Sequence, residues 1–140
     1  SCLGSWSIRD TLNVGGRLYG VNKVLWSGAM HMGESHTATL SEAISTQPHG
    51  VVLAFSYYNN GTGETGNSIW NHFFVPKHHV LQHPGTSMVF YTGMSIIRVK
   101  CLYLSDTKIV GYVDNNNEAY SMHGQIVDNR YSVLRYVIGV

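Results

Sequence analysis

Charged side chains are scarce in this chain. Asp, Glu, Lys and Arg make up 12% of its 140 residues, about half the usual share of a soluble domain. The nine basic residues are scattered singly and the formal charge is +1, so no face carries the cluster of cations that phosphate-backbone binding requires, and nucleic acid is excluded as a partner. The eight acids (Asp10, Glu34, Glu42, Glu64, Asp106, Asp114, Glu118, Asp128) are also dispersed, mostly in turn-like contexts, and no glycosidase pair stands out. No run of about 18 apolar residues exists to span a membrane. No charged region followed by an apolar one marks a signal peptide. The opening Ser-Cys-Leu-Gly lacks a Met, which points to a piece of a longer polypeptide.

Cysteine is also scarce. Cys2 and Cys101 are the only two, far apart and in no motif, so no disulfide framework is implied. A buried, free Cys101 within Val-Lys-Cys-Leu-Tyr-Leu is the expectation. Helical periodicity is almost absent. Only Ser41–Gln47, with Ser41 as a candidate N-cap, reads as a helical turn, and it is too short to be an independent helix.

What the chain does have is a succession of short β-like runs separated by Gly, Pro, Asn and Asp. Gly15-Gly16 reads as a tight turn inside a lead-in over residues 1–20. Strands are expected at Lys23–Ala29, His36–Leu40, Val51–Tyr58, Ser68–Val75, Met88–Thr92, Ser95–Leu104, Lys108–Val113 and Tyr131–Val140. Pro76 has no N–H for a ladder and marks a strand end or an edge. In Ser95–Leu104 the apolar Ile97, Val99, Cys101 and Tyr103 alternate with Arg98, Lys100 and Leu102, which predicts that the odd-numbered face turns inward. Tyr131–Val140 has few polar breaks, as a central strand would. Together these runs predict an all-β fold, a β-sandwich or jelly-roll-like antiparallel domain over residues 21–140 with at most one short helical turn.

Around the central hairpin, Gly50–Lys77, lie three candidate chemistries. Gly61–Gly66 (Gly-Thr-Gly-Glu-Thr-Gly) matches a dinucleotide fingerprint in letters only, because a β-like run rather than a helix follows it; it reads as a hairpin loop. His72, His78, His79 and His83 crowd together, but their spacing fits no zinc motif and no carboxylate stands nearby. No metal or other cofactor is expected, and His79 and His83 would be the first ligands of a metal if one bound. The third is an aromatic and amide set: Tyr57, Tyr58, Asn59, Asn60, Asn67, Trp70, Asn71 and His72. Aromatic rings suit the C–H faces of sugars, and amides both donate and accept hydrogen bonds to hydroxyls. These eight residues are the candidate saccharide contacts, although alternate members, Tyr57 and Trp70 among them, also suit a core.

Four stretches carry a resemblance: Leu-Trp-Ser-Gly-Ala-Met-His-Met (25–32), Thr-Leu-Ser-Glu-Ala-Ile-Ser-Thr-Gln-Pro-His-Gly-Val-Val-Leu-Ala-Phe-Ser-Tyr (39–57), Asn-His-Phe-Phe-Val-Pro-Lys (71–77) and the terminal Val-Leu-Arg-Tyr-Val-Ile-Gly-Val. As a set they resemble the C-terminal receptor-binding domain of tail-fibre or baseplate proteins from phages and prophages of Gram-positive bacteria. The resemblance implies a β-rich tip on a homotrimeric fibre, preceded by further tail or baseplate regions. Such a tip, at the end of the virion tail, attaches to a host wall glycopolymer such as teichoic acid or a wall polysaccharide, without catalysis. It supplies scaffold motifs rather than binding residues. Asn59–Asn67 and Asp114–Glu118, being loops, are where host-dependent variation is expected. A polysaccharide depolymerase and a trimerisation cap without ligand are the competing expectations.

Overall fold

The computed structural model of the chain describes residues 22–140, together with the backbone of 12–15 and 17–19. It is an all-β domain built from mostly antiparallel sheets. β1 (Leu12–Val14) and β2 (Arg17–Tyr19) pair as a hairpin around Gly15, whose φ of 59° is one that glycine adopts without strain. The rest of the predicted lead-in, Cys2 included, lies outside the described residues.

Two sheets then pack face to face. The first is built from β3 (Lys23–Met30), β5 (Gly50–Asn59), the two-residue β6 (Glu64–Thr65), β7 (Asn71–Pro76) and β13 (Ser132–Gly139), with β13 between β3 and β5 and both β6 and β7 on the far side of β5. The second runs in the order β4 (Thr37–Thr39), β10 (Lys108–Val110), β9 (Ile97–Leu104) and β8 (Thr86–Gly93). A separate hairpin, β11 (Tyr120–Met122) with β12 (Gln125–Val127), closes the list.

Strand alternation builds the core. Val51, Leu53 and Phe55 of β5 point inward with Val75 of β7 and Leu134 and Val137 of β13. They meet Ala38, Phe90, Leu102, Leu104 and Ile109 of the other sheet. Phe55, Phe73 and Phe90 form a ring cluster across the gap, with centroids 5.1 to 6.2 Å apart. The last strand is central, as its unbroken apolar run implies.

Several expectations need correction. Ser41 caps nothing: the turn is a short 3-10 segment, Ile44–Thr46, preceded by Ala43, and Ile44 drops into the core. The His-rich connection after Pro76 contains the one α-helix among the described residues, α1 (Lys77–Gln82). No side chain caps it, and burial of Val80 against the core accounts for its formation better than propensity does. Further 3-10 turns lie at Val113–Asn116 and Asn129–Tyr131. No helix among the described residues is long and apolar enough to cross a membrane.

The largest correction concerns β9. Its even-numbered face turns inward: Lys100, Leu102 and Leu104 are all 0% exposed, whereas Ile97 is 41% exposed. Cys101, free and half-buried, sits on the outer side. A lysine therefore stands in the core with its ammonium satisfied three times. Lys100 Nζ donates to the carbonyl oxygens of His31 (3.0 Å), Asn115 (2.9 Å) and Asn129 (2.7 Å).

The two asparagines complete the β9 edge that β10 leaves open. Asn115, also fully buried, accepts from Cys101 N (2.6 Å) and donates through Nδ2 to the Cys101 and Met32 carbonyls. Asn129 accepts from Val99 N (2.9 Å) and donates to Asp114 O. Each amide thus stands in for the peptide group of a missing strand. The Asp114–Glu118 segment is consequently not a free loop, since its second residue, Asn115, is a core element.

Burial pulls the Lys100 pKa down to about 7, with the Asp128 carboxylate opposing and Arg98 adding to the fall; the three carbonyl acceptors favour the ammonium. His31 lies beside it, edge-on to Tyr58 with centroids 4.7 Å apart. Burial first, then the Lys100 charge, lowers its pKa to about 4.

Both shifts are downward, so in each case the folded state releases its proton at lower pH than the unfolded chain, and stability rises with pH across the interval between the two values. Urea unfolding should show stability climbing from pH 4 to 6.5 through His31. It should climb again above pH 7 through Lys100, by at most about 1.4 kcal/mol per pH unit. His31→Gln should flatten the lower limb alone. Asn115→Ala should cost about 3 kcal/mol, because it strands buried donors and acceptors; Asn116→Ala, at the exposed next position, should stay within about 0.5 kcal/mol.

Candidate functional site

Strand alternation divides the eight aromatic and amide residues between two faces. Asn71 and Tyr57 share the inward parity of Phe55, whereas Trp70 and His72 share the outward parity of Phe74, which is 54% exposed. The structure therefore brings the set together in two places, not one.

On the outer face, Trp70 stacks offset on His72 (centroids 6.0 Å, planes 22° apart) and on Tyr136 (5.9 Å, 18°). Tyr136, and Arg135 beside the stack, come from β13 through a β-bulge. Pairing with β5 steps from Leu134–Phe55 straight to Tyr136–Ala54, leaving Arg135 as an extra residue. A bulge re-aims side chains, and Arg135 lies 5.2 Å from the Trp70 ring centre and 5.7 Å from that of Tyr136. Its Nη1 donates to Ser56 Oγ, the Gly66 carbonyl and Asn67 Oδ1, each at 3.0 Å. Asn67 is thus an anchor for Arg135, and the stack is braced from beneath the hairpin loop.

That loop is tied down by its own residues. Asn59 Oδ1 accepts from the amides of Gly61 and Thr62, Gly63 N donates to Asn59 O, and Gly66 N to Tyr57 O. Asn60 faces Arg130, and with its amide turned so that the oxygen points at the guanidinium it accepts a hydrogen bond of 2.7 Å. Tyr58 packs on His31. Asn59, Asn60 and Tyr58 are therefore engaged within the chain, and the Gly-rich letters serve a hairpin turn.

Tyr57 and Asn71 take part in a different feature, a pocket of about 130 Å³ between the two sheets. One wall is aromatic: the Tyr57 and Tyr131 rings lie 6.1 Å apart with planes tilted by 31°. The β8–β9 turn also lines the pocket, with Met94 and Ile96, which are 72% and 54% exposed. Asn71 clamps that turn: its Oδ1 accepts from Gly93 N (3.0 Å) and its Nδ2 donates to Gly93 O (3.4 Å). Gly93, with φ of 99°, holds a conformation that side-chain-bearing residues rarely adopt.

Arg98 completes the pocket. Its guanidinium lies over the Tyr131 ring at 5.1 Å, and its Nε is buried with no hydrogen-bond partner. No carboxylate among the described residues forms an ion pair with it. The nearest acid of consequence, Asp128, is taken by Arg130, which holds it with Nε and Nη2 at 3.0 Å each and reaches Glu118 at 2.8 Å. Partial burial pushes the Asp128 carboxyl up, but the Arg130 hydrogen bonds outweigh it and hold the carboxyl below its usual range.

Arg98, Tyr131, Arg135 and Tyr136 were outside the sequence-derived set. Arg98 reads in the sequence as the polar member of an alternating pair. A lone arginine in the apolar run Val-Leu-Arg-Tyr-Val was the available hint for Arg135. His79 and His83 do come together on α1 and its end, with ring centres 6.3 Å apart. Among the described residues, however, no group of three His, Cys, Asp or Glu could hold a metal ion. None of the residues lining the pocket is a carboxylate.

No protein-family model matches the chain, and no curated protein matches it.

Asn71→Ala should loosen the pocket's turn. Hydrogen exchange at the Gly93 amide should speed up by at least about ten-fold, with a stability loss of about 1 to 2 kcal/mol.

Proposed function

We propose that this chain is the receptor-binding head of a phage or prophage tail fibre or baseplate, and that it attaches to a saccharide of a Gram-positive cell wall without cutting it. The observation that carries the reading is the pocket between Tyr57 and Tyr131. Ring faces there can take the C–H surface of one sugar residue, while Ser95, exposed in the same lining, can meet a hydroxyl. The resemblance of the scaffold stretches to such heads supports the same reading.

In this proposal the head is one of three on a fibre at the virion tail tip. Exposed apolar side chains on the outer sheet faces, Phe74 on one and Val89 and Tyr91 on the other, are the kind of surface a subunit contact covers. The pocket is small, so each contact is weak, and three copies on one fibre raise the avidity. A glycosidase needs an acid pair within reach of the bond, and this pocket offers none.

The labelled chain should be retained on isolated Gram-positive walls of a susceptible strain and lost after the wall glycopolymer is stripped. Tyr131→Leu should weaken retention by at least about ten-fold, the worth of one ring contact, at unchanged melting temperature. Absence of retention on any wall, or new reducing ends in incubated polymer, would overturn the reading.

A further inference from the structure

We propose that the Tyr57–Tyr131 pocket selects an oxyanion, a carboxylate or a phosphate carried on the bound molecule, and that Arg98 is the residue that recognises it. For the carrier, the inference rests on the saccharide reading above; for the anion, it rests on the pocket alone.

Four observations converge on Arg98. Its side chain lines the cavity and lies against the Tyr131 ring, which holds the planar guanidinium in one orientation. Its Nε is sealed from solvent yet has no partner. A buried donor left unpaired costs free energy, and a ligand that restores the missing bond recovers it. It has no ion pair among the described residues, whereas its neighbour Arg130 is saturated by Asp128 and Glu118. Finally, Arg98 shares the inward face of β9 with Lys100, two residues on, whose ammonium faces only carbonyls. Lys100 lies behind the pocket lining, not in it, and the acid that interacts with both cations, Asp128, is pinned by Arg130.

The guanidinium fork matches the two oxygens of a carboxylate or phosphate, and such charge-assisted pairs are roughly twice as strong as neutral ones. The volume suits this chemistry. About 130 Å³ accepts an oxyanion with the few carbons beside it, not an oligosaccharide. A neutral sugar hydroxyl could accept from the Arg98 donor but brings no charge to pair with the guanidinium, so it gains less than an oxyanion does.

The test uses the full 140-residue chain and small soluble probes. Glycerol 3-phosphate and galacturonate supply the two anions; glycerol and galactose are their neutral counterparts. Amide shifts of Tyr131 and Ile96, followed by NMR titration, report occupancy. One or both anions should bind at least about ten-fold more tightly than the neutral partner, and the preference should shrink as salt is raised. Which anion wins identifies the carrier as phosphate-bearing or acid-bearing. Arg98→Gln should abolish the preference, and Arg98→Lys should retain part of it.

Equal binding of charged and neutral probes, or an undiminished preference in Arg98→Gln, would overturn the proposal. If Arg98→Gln does not fold, the wild-type comparison and its salt dependence decide the matter. Anions that bind a chain ignored by cell walls would uphold the oxyanion pocket and remove the wall-saccharide reading. Wall binding that is unchanged in Arg98→Gln and insensitive to salt would do the reverse.

Discussion

An ammonium group inside a β-sandwich is the constraint on which the surrounding structure depends. Lys100 reaches the core at no exposure, and a charge removed from water is tolerated only when it is fully hydrogen-bonded. Three backbone carbonyls meet its three donors. They come from separate parts of the chain: the end of β3 at His31, the 3-10 turn holding Asn115 and the 3-10 turn holding Asn129. Satisfying one charge therefore fixes three connections at once. The same two asparagines then use their side-chain amides to finish the β9 edge, so the polar network and the sheet are one construction. Such networks stabilise when complete and are costly when broken.

That construction positions the site. Asn129 anchors the turn that ends in Tyr131, and Val99, next to Arg98, is held by the Asn129 amide. The aromatic wall and the guanidinium are thus placed by a common partner. On the opposite side, Asn71 repeats the device, its amide pairing both polar groups of Gly93. In a chain with few charges, asparagine serves as a substitute strand and as a clamp, because one amide presents a donor and an acceptor with the geometry of a peptide group. The abundance of Asn has a structural use here that is separate from ligand contact.

The outer aromatic stack and the inner pocket make different kinds of surface. Trp70 already has ring partners in His72 and Tyr136 and a cation in Arg135; its stacking surface is largely spent within the fold. The Tyr57–Tyr131 pair encloses unfilled volume and an unpaired donor. A binding function accordingly finds better support in the second, and the residues that would carry it come from both sheets and from chain segments far apart in sequence.

The amino-acid sequence by itself determined the class of fold. Short apolar runs punctuated by Gly, Pro, Asn and Asp could pack only as sheets, and the apolar last strand had to be central. The turn at Gly15, the end of β7 at Pro76 and the hairpin at the Gly-rich loop were equally legible, since each depends on local backbone preference. Only the tertiary structure decided which face of β9 is inside. Both faces carry apolar residues, and Lys100 reads as solvent-facing until three distant carbonyls are brought to it. The α1 helix was hidden for a similar reason, having neither cap nor periodicity and only the burial of Val80 to favour it. The eight candidate residues formed one cluster along the chain but two in space, because neighbours on a strand point to opposite sides. The bulge at Arg135, the partnership of Tyr57 with Tyr131 and the isolation of Arg98 all arise from pairings between remote segments, which local sequence does not encode.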